Sequence, residues 1–396
     1  METTTSLPTW KVLMAGVCSL ILTVGLARFA YTPLLPVMRA ETWLTEVAGG
    51  WLATFNYMGY MSGALLAASI SSLHTKYKLF HIGLLLGVCS VPAMAFTENM
   101  WVWSILRYIA GLSSAAGLLI GSGLMLNWLM RHGHRPELGV HFGGIGAGIL
   151  VSGLSSVAML AMHLDWAQQW WTLGGLGILF FAPAWLWLPE PAPAHAQTHI
   201  KTQTPPSKRW LALMIAMYFC AGFGFVVSAT FTVAMVEKIP ALQGWGSWVW
   251  VLVGVTATPA CFVWDRIARK LGDMPTLQIA FTGQILSLLI PALTQNPSAA
   301  VFSAGLYGAT FIGIVSLTLT IIGRYYPANP AKAMARLTLS YGVAQIIAPA
   351  LTGYIADATG SYQGGLLLAA AIMSLGVGLL WMIQQTGDGI GTPASH

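Results

Sequence analysis

Charge is scarce in this chain of 396 residues. Asp, Glu, Lys and Arg together make up 8% of it, while 56% is apolar. A soluble domain carries about 25% charge. Eighteen bases and twelve acids cannot clothe a water-soluble protein of this length, which excludes a soluble enzyme. Acid is missing where it would matter most. Glu46, Glu98, Asp165, Glu237 and Asp357 all fall near the ends of apolar runs and none near a centre. That argues against a site for lipophilic cations, which needs a buried carboxylate. Cysteine is nearly absent too. Cys18, Cys89, Cys220 and Cys261 lie inside apolar runs with no metal or redox spacing, so they read as packing residues and not as a disulfide framework. No metal-ligand His pair or Asp pair stands at depth, which excludes an intramembrane enzyme, and no cofactor is called for. Gly144-x-Gly146-x-Gly148 follows no strand and is not a phosphate loop. With no nucleotide motif, direct ATP drive is excluded.

What the sequence does have is length of apolar run. A helix needs ~20 mostly apolar residues to cross a bilayer, and the sparse charges and turn signals divide the chain into twelve such stretches. They fall at 10–38, 46–72, 79–97, 100–130, 136–162 and 168–189, then at 210–236, 244–264, 274–294, 297–323, 332–356 and 363–384. Gln295-Asn296-Pro297 supplies the turn that splits the long uncharged run from Met274 to Gly323. The fold class is all-α and integral to the membrane.

The bases set the orientation. With the N-terminus inside, fourteen Lys and Arg fall on the inner side and only Arg39 and Lys238 on the outer. The net charge of +6 is thus a topology signal and points to no nucleic-acid partner. The first run is longer than a signal-peptide core and lacks a cleavage site, so it is expected to remain as span one. In a bacterium this is an inner-membrane protein with both termini cytoplasmic. Trp10, Trp43, Trp101 and Trp171, among other tryptophans near span ends, fit aromatic belts.

One polar, proline-bearing stretch separates the spans six and six. It predicts an N-terminal bundle over 1–189, a cytoplasmic linker over 190–209 and a C-terminal bundle over 210–396. The halves echo each other. Gly25 and Gly222 differ by 197 positions, as do Gly111 and Gly308, and Gly153 and Gly353 differ by 200. Two parallel six-span repeats describe a transporter with its site between them.

Three segments resemble the major facilitator superfamily. Trp264-Asp265-Arg266-Ile267-Ala268-Arg269-Lys270 is similar to the family's loop motif, and Arg107 to Gly111 to its span-four motif. The string from Gly25 to Pro36, with Asn56-Tyr57-Met58-Gly59-Tyr60, resembles the YbfB/YjiJ-type branch. The resemblance covers the whole chain and implies spans one and four lining a central cavity. It also implies that Asp265, Arg266, Arg269 and Lys270 form a gating latch, with Arg336 a candidate contact. The first copy of the loop motif is degraded: Ser71 to Lys76 holds no aspartate. Span five lacks the Gly-Pro pair of the family's antiporters, so exchange-driven export is not implied.

Arg28 and Arg107 are the sharpest signal. Charge at mid-helix costs about 2.5–3.5 kcal/mol even on the lenient insertion scale and marks a cavity or a partner. Counting about 1.5 Å per residue, Arg28 lies ~15 Å and Arg107 ~10 Å below the outer ends of their spans, and Asn56 comes to ~15 Å. A guanidinium matches a carboxylate with two parallel N–H bonds. Backbone carbonyls, or Glu46 and Glu98, are the alternative partners. The 197 offset places Phe225 opposite Arg28 and Ala304 opposite Arg107. The C-terminal half therefore offers an aromatic, uncharged face. Candidate substrate contacts are Arg28, Arg107, Tyr31, Asn56, Tyr60, Phe225 and Tyr307. Candidate proton carriers are His141 and Glu237, against packed and solvated alternatives. The span-five glycines, Gly139 to Gly153, allow close helix approach and a smooth face against the other half.

The leading expectation is a secondary transporter for a small organic anion, working by alternating access. Its partners are a small-molecule substrate, the bilayer, and a coupled proton or other ion. An efflux transporter of neutral or amphipathic compounds is the second reading. A membrane sensor or assembly factor without transport is the third, and it predicts an added soluble domain or a degraded cavity.

Overall fold

The computed structural model describes residues 8–133, 139–191, 206–326 and 330–385. Most of the expected linker, residues 192–205, lies outside them, as do Arg135, Lys201 and the side chain of Lys332.

All twelve expected spans are helices. We label them α1 (Thr9–Glu41), α2 (Glu46–Ser69), α3 (Leu73–Phe96), α4 (Met100–Arg131), α5 (Gly139–Ala161) and α6 (Trp166–Leu186). After the linker come α7 (Lys208–Glu237), α8 (Gly246–Leu271), α9 (Asp273–Leu293), α10 (Pro297–Tyr325), α11 (Pro330–Thr359) and α12 (Gln363–Gln385). Among the described residues nine are long and apolar enough to cross a membrane. The tenth, α8, bends by 42° between Ala257 and Ala260, where Pro259 removes a backbone donor. Helices α2 and α6, of 24 and 21 residues, complete the set.

The helix starts are written locally. Thr45, Ser72, Asn99, Ser207 and Asn296 each accept a backbone N–H in the first turn of the helix that follows, and Asp165 with Gln168 forms a full capping box. Long apolar side chains on the outward faces, such as Ile178, Leu179, Phe302 and Leu375, are exposed, as a lipid-facing surface requires.

The helix pairings repeat with a shift of six. In the first set α1 packs on α5 and α6, α2 on α4, and α3 on α4 and α6. In the second, α7 packs on α11 and α12, α8 on α10, and α9 on α10 and α12. The sets meet through α2 with α11, α5 with α8, and α1 with α7. Glycine permits two of these approaches. A Cβ at Gly148 would lie 2.7 Å from the Gly25 Cα, so α1 and α5 touch backbone to backbone. A Cβ at Gly146 would run into the Thr258 backbone on α8.

One element differs from a plain span. Ile21–Phe29 is a π-helical stretch inside α1, closed by a bond from the Ala30 N–H to the Gly25 carbonyl at 2.9 Å. A second short π stretch, Ala116–Ile120, interrupts α4. Wider turns of this kind displace carbonyls from the usual ladder, leaving them open to side chains.

Candidate functional site

Arg28 stands in the π stretch of α1. It is 6% exposed, and among the described residues its guanidinium meets no carboxylate. Aromatic rings surround it instead. Its Cζ lies 4.4 Å from the Tyr57 ring centroid, 4.8 Å from Tyr60, 5.4 Å from Phe29 and 5.9 Å from Phe225. Its Nε is buried without a hydrogen-bond partner. Ring faces stabilise a cation by roughly 0.5–2 kcal/mol each, but they accept no directed N–H pair. The guanidinium is thus buried among aromatic rings, with no carboxylate beside it among the described residues.

Arg107 is engaged differently. Its Nη1 donates to the Ala27 carbonyl at 2.9 Å and its Nη2 to the Arg28 carbonyl at 3.3 Å, while its Cζ lies 4.5 Å from the Tyr31 ring centroid. It thereby bonds two carbonyls of the π stretch and fixes the backbone that carries Arg28. Asn56 continues the chain of support. Its Nδ2 donates to the Arg107 carbonyl at 3.0 Å, and a Cβ at Gly111 would collide with the Asn56 carbonyl. The Tyr31 hydroxyl donates to the Gly49 carbonyl at 2.9 Å. Of the candidate contacts, Arg28, Tyr60 and Phe225 form the cage itself, and Arg107, Asn56 and Tyr31 hold it from behind.

The C-terminal wall is aromatic. Phe225 lies 5.3 Å from Phe311 and 5.8 Å from Tyr341, centroid to centroid, and Tyr307 stacks on Phe311 at 5.0 Å. The Tyr307 hydroxyl donates to the Phe225 carbonyl at 3.3 Å. Tyr57, the ring nearest Arg28, and Tyr341 were not among the candidates. Tyr57 sits one turn from Tyr60 on α2, within the string that resembles the YbfB/YjiJ-type branch, and that place and spacing were its signals in the sequence.

At one end of the molecule a charged cluster forms around Glu46. Glu46 is 7% exposed and takes Arg39 of α1 at 2.7 Å and Lys238, just past α7, at 2.8 Å. The Tyr362 hydroxyl donates to its other oxygen. Burial, and then the adjacent Glu46 carboxylate, push the Tyr362 phenol above its ordinary pKa and keep it a donor. The cluster ties the first helix set to the second. Nearby, Trp51 donates to the Tyr354 hydroxyl at 3.2 Å, Thr54 to the Ile346 carbonyl at 2.9 Å and Thr32 to the Ala229 carbonyl at 2.5 Å, and Ser156 bonds Ser247 at 2.8 Å. Among the described residues, the hydrogen bonds and ion pairs between the sets all lie from the level of the cage toward the Glu46 end. Sequence reasoning placed Glu46 near a helix end and could not see that three partners converge there.

At the opposite, linker end, Asp265 pairs with Arg269 one turn along the same helix at 2.8 Å. Both are largely exposed, as are Arg266, Lys270 and Arg336. The structure brings Asp265 to Arg269 and not to Arg336. What anchors this segment is Trp264, whose Nε1 donates to the Ala309 carbonyl at 2.5 Å. Asp273 and Arg324, 2.7 Å apart, tie α9 to α10.

The two candidate proton carriers lie away from the cage. Buried His141 meets the Ser122 hydroxyl through Nε2 at 2.9 Å, beside Gly16, roughly 18 Å along α1 from Arg28 at 1.5 Å per residue. Both oxygens of Glu237 accept N–H groups, of Gly244 and Gly246, each at 2.8 Å, and so cap the start of α8.

The fold and the cage can be set beside known proteins. Residues 20–381 match the family described as the uncharacterised MFS-type transporter YbfB. A protein of Haemophilus influenzae assigned to metabolite transport is 22% identical over 368 residues, 86% of this chain and 87% of its own. Over 127 residues the chain is 28% identical to a multidrug resistance protein, EmrY, of Escherichia coli, covering 30% of this chain and 25% of that one. The crystal structure of the nucleoside transporter NupG superposes with a TM-score of 0.71 at 13% identity, covering 95% of this chain and 99% of that chain. A single-residue mutant of the same transporter superposes with a TM-score of 0.74 at 13% identity, covering 94% of this chain and 99% of that one.

Proposed function

Because this chain belongs to the YbfB-type family of MFS transporters, and is therefore a multi-pass membrane transporter, we propose that it carries a small organic anion by alternating access, with Arg28 as the anion contact. One observation carries the reading. Arg28 is almost wholly buried and faces rings in place of a carboxylate. A charge so placed wants a counter-ion, and a transported carboxylate supplies one. Its two oxygens suit the guanidinium fork. Tyr57 and Tyr60 flank the head of the substrate, and Phe225, Tyr307, Phe311 and Tyr341 receive its apolar body.

In this reading Arg107 is a positioning residue. It acts through the backbone of Arg28, with Asn56 and Tyr31 behind it. The Glu46 cluster is the gate of one access state. With the N-terminus inside, as the distribution of bases supports, the Glu46 end is the outer one and the gate shuts the outside. The solvated cluster of Asp265, Arg266, Arg269 and Lys270, with Arg336, serves as the latch of the opposite state. His141 is the coupling candidate we retain, because the Glu237 carboxylate is occupied as a cap.

Uptake of labelled carboxylates into proteoliposomes, by wild type and by Arg28→Ala and Arg28→Lys, tests the proposal. Carboxylate uptake that falls at least tenfold in both variants supports it. Equal uptake in Arg28→Ala overturns it. The uncharged aromatic wall favours a second reading, transport of neutral or amphipathic compounds, in keeping with the names of the relatives linked to drugs and nucleosides. Nucleoside or dye transport insensitive to Arg28→Ala is its signature.

A further inference from the structure

The second helix set contains a pocket that the first set has filled. The offset of 197 residues that relates Phe225 to Arg28 also relates Ser228 to Tyr31, Ala300 to Trp103 and Ala304 to Arg107. In the first set Tyr31, Trp103 and Arg107 are at most 3% exposed, and the space around Arg107, Ser90 and Trp170 has no room for a water. In the second set the equivalent side chains are a hydroxymethyl and two methyls. A pocket of about 90 Å³ opens there toward the Glu46 end, walled by α7, α9, α10 and the start of α12. By the ~10–15 Å³ that one water needs, it holds about six to nine waters, or one small molecule of similar heavy-atom count.

Its lining is hydroxyl-rich, and several of the hydroxyl protons are already committed. Thr232 donates to the Ser228 carbonyl at 2.7 Å, Ser287 to the Gln284 carbonyl at 2.7 Å, Ser303 to the Ser287 carbonyl at 2.6 Å and Tyr307 to the Phe225 carbonyl at 3.3 Å. Their oxygens remain as acceptors. Ser228, 3% exposed, has no protein partner for its hydroxyl among the described residues. No acid lines the pocket, which disfavours a cation. Its one base, Lys238, is paired with Glu46, which disfavours an anion.

We propose that this pocket is a second binding site, adjoining the Arg28 cage through Tyr307 but not including Arg28, for a small uncharged molecule rich in hydrogen-bond donors, a polyol or primary amide of about five to eight heavy atoms. Two of its walls, Lys238 and Tyr362, are also members of the Glu46 gate, so an occupant touches the gate directly.

Saturation-transfer NMR on the full-length protein in nanodiscs, with erythritol and propionamide as probes, tests the site. Transfer to either probe in wild type should fall at least fivefold in Ser228→Tyr and in Ala300→Trp, which restore the bulk found in the first set. If either variant fails to fold, Ala304→Leu makes the same comparison with less added volume. The signal should persist in Arg28→Ala, which separates this site from the proposed anion site. No transfer to either probe in wild type, meaning a pocket that holds water alone, overturns the proposal. So does transfer that is unchanged in the folded pocket-filling variants.

Discussion

Arg28 and Phe225 stand at equivalent positions of the two helix sets, 197 residues apart, and meet, the guanidinium carbon 5.9 Å from the ring centroid. Four residues on, Thr32 bonds the carbonyl of Ala229 with the same separation. The helices that carry them, α1 and α7, thus cross at matched positions, one bearing charge and the other an aromatic ring. The carbonyls match as well. Arg107 donates to that of Arg28 and Tyr307 to that of Phe225, each at 3.3 Å. A duplicated frame holds two unlike surfaces, and the proposed substrate lies where they meet.

Arg107→Ala should damage stability first. It leaves two carbonyls and a cavity behind in the core of the first set. Each unsatisfied buried group costs about 1–3 kcal/mol, so a loss of roughly 2–5 kcal/mol and a clearly lowered Tm are expected. Arg107→Lys, which reaches only one carbonyl, should fall between wild type and Ala. Differential scanning fluorimetry in detergent reads both. A Tm unchanged in Arg107→Ala would remove its positioning role.

Glu46→Gln should open the Glu46 end. The amide loses its charge against Arg39 and Lys238 while keeping the volume. A cysteine introduced at Phe225 should then react at least fivefold faster with a membrane-impermeant thiol reagent added from that side, in a background with the native cysteines replaced. No change in rate would show that the cluster does not gate.

The same cluster gives a pH signature. Because the folded-state pKa of Tyr362 is raised, its contribution is complete below the unfolded value of about 10 and is lost as pH rises through the folded one. The Tm of wild type should therefore hold no Tyr362-dependent change up to about pH 10 and fall beyond it. The difference between wild type and Tyr362→Phe should shrink over that alkaline range. A difference that grows there would contradict the assignment.

Gly146→Leu should block function with little room for repair. Its added side chain enters the Thr258 backbone on α8, forcing the two sets apart along α5. Loss of transport with the protein still inserted is expected. Wild-type turnover would show that this interface is not needed in close contact.

Much of the architecture was legible in the chain because its signals are local. Charges scarce enough to count marked the twelve helices, and the Gln295-Asn296-Pro297 turn divided the longest uncharged run. Arg28 was legible as a candidate because a charge within an apolar run is rare. What surrounds it was not. The π stretch Ile21–Phe29 has an ordinary helical sequence, and only the bonds to its carbonyls reveal why Arg107 is there. Glu46 was legible only as a helix-end acid and an alternative partner for the buried arginines, since its actual partners come from residues 39, 238 and 362. Asp265 carried the stronger motif and yet lies in solvent beside Arg269. Such convergence belongs to the packing of helices distant in sequence, which periodicity and spacing do not encode.

The most direct measurement is a thermal-shift screen of the purified protein against organic acids, neutral sugars and nucleosides, and amphipathic cations, run in parallel on Arg28→Ala. A ligand that binds the folded state raises Tm with occupancy. The account predicts a shift with a carboxylate that disappears in Arg28→Ala while the variant stays folded. Shifts with neutral or cationic compounds alone, equal in the two proteins, would contradict it and make Arg28 a structural residue.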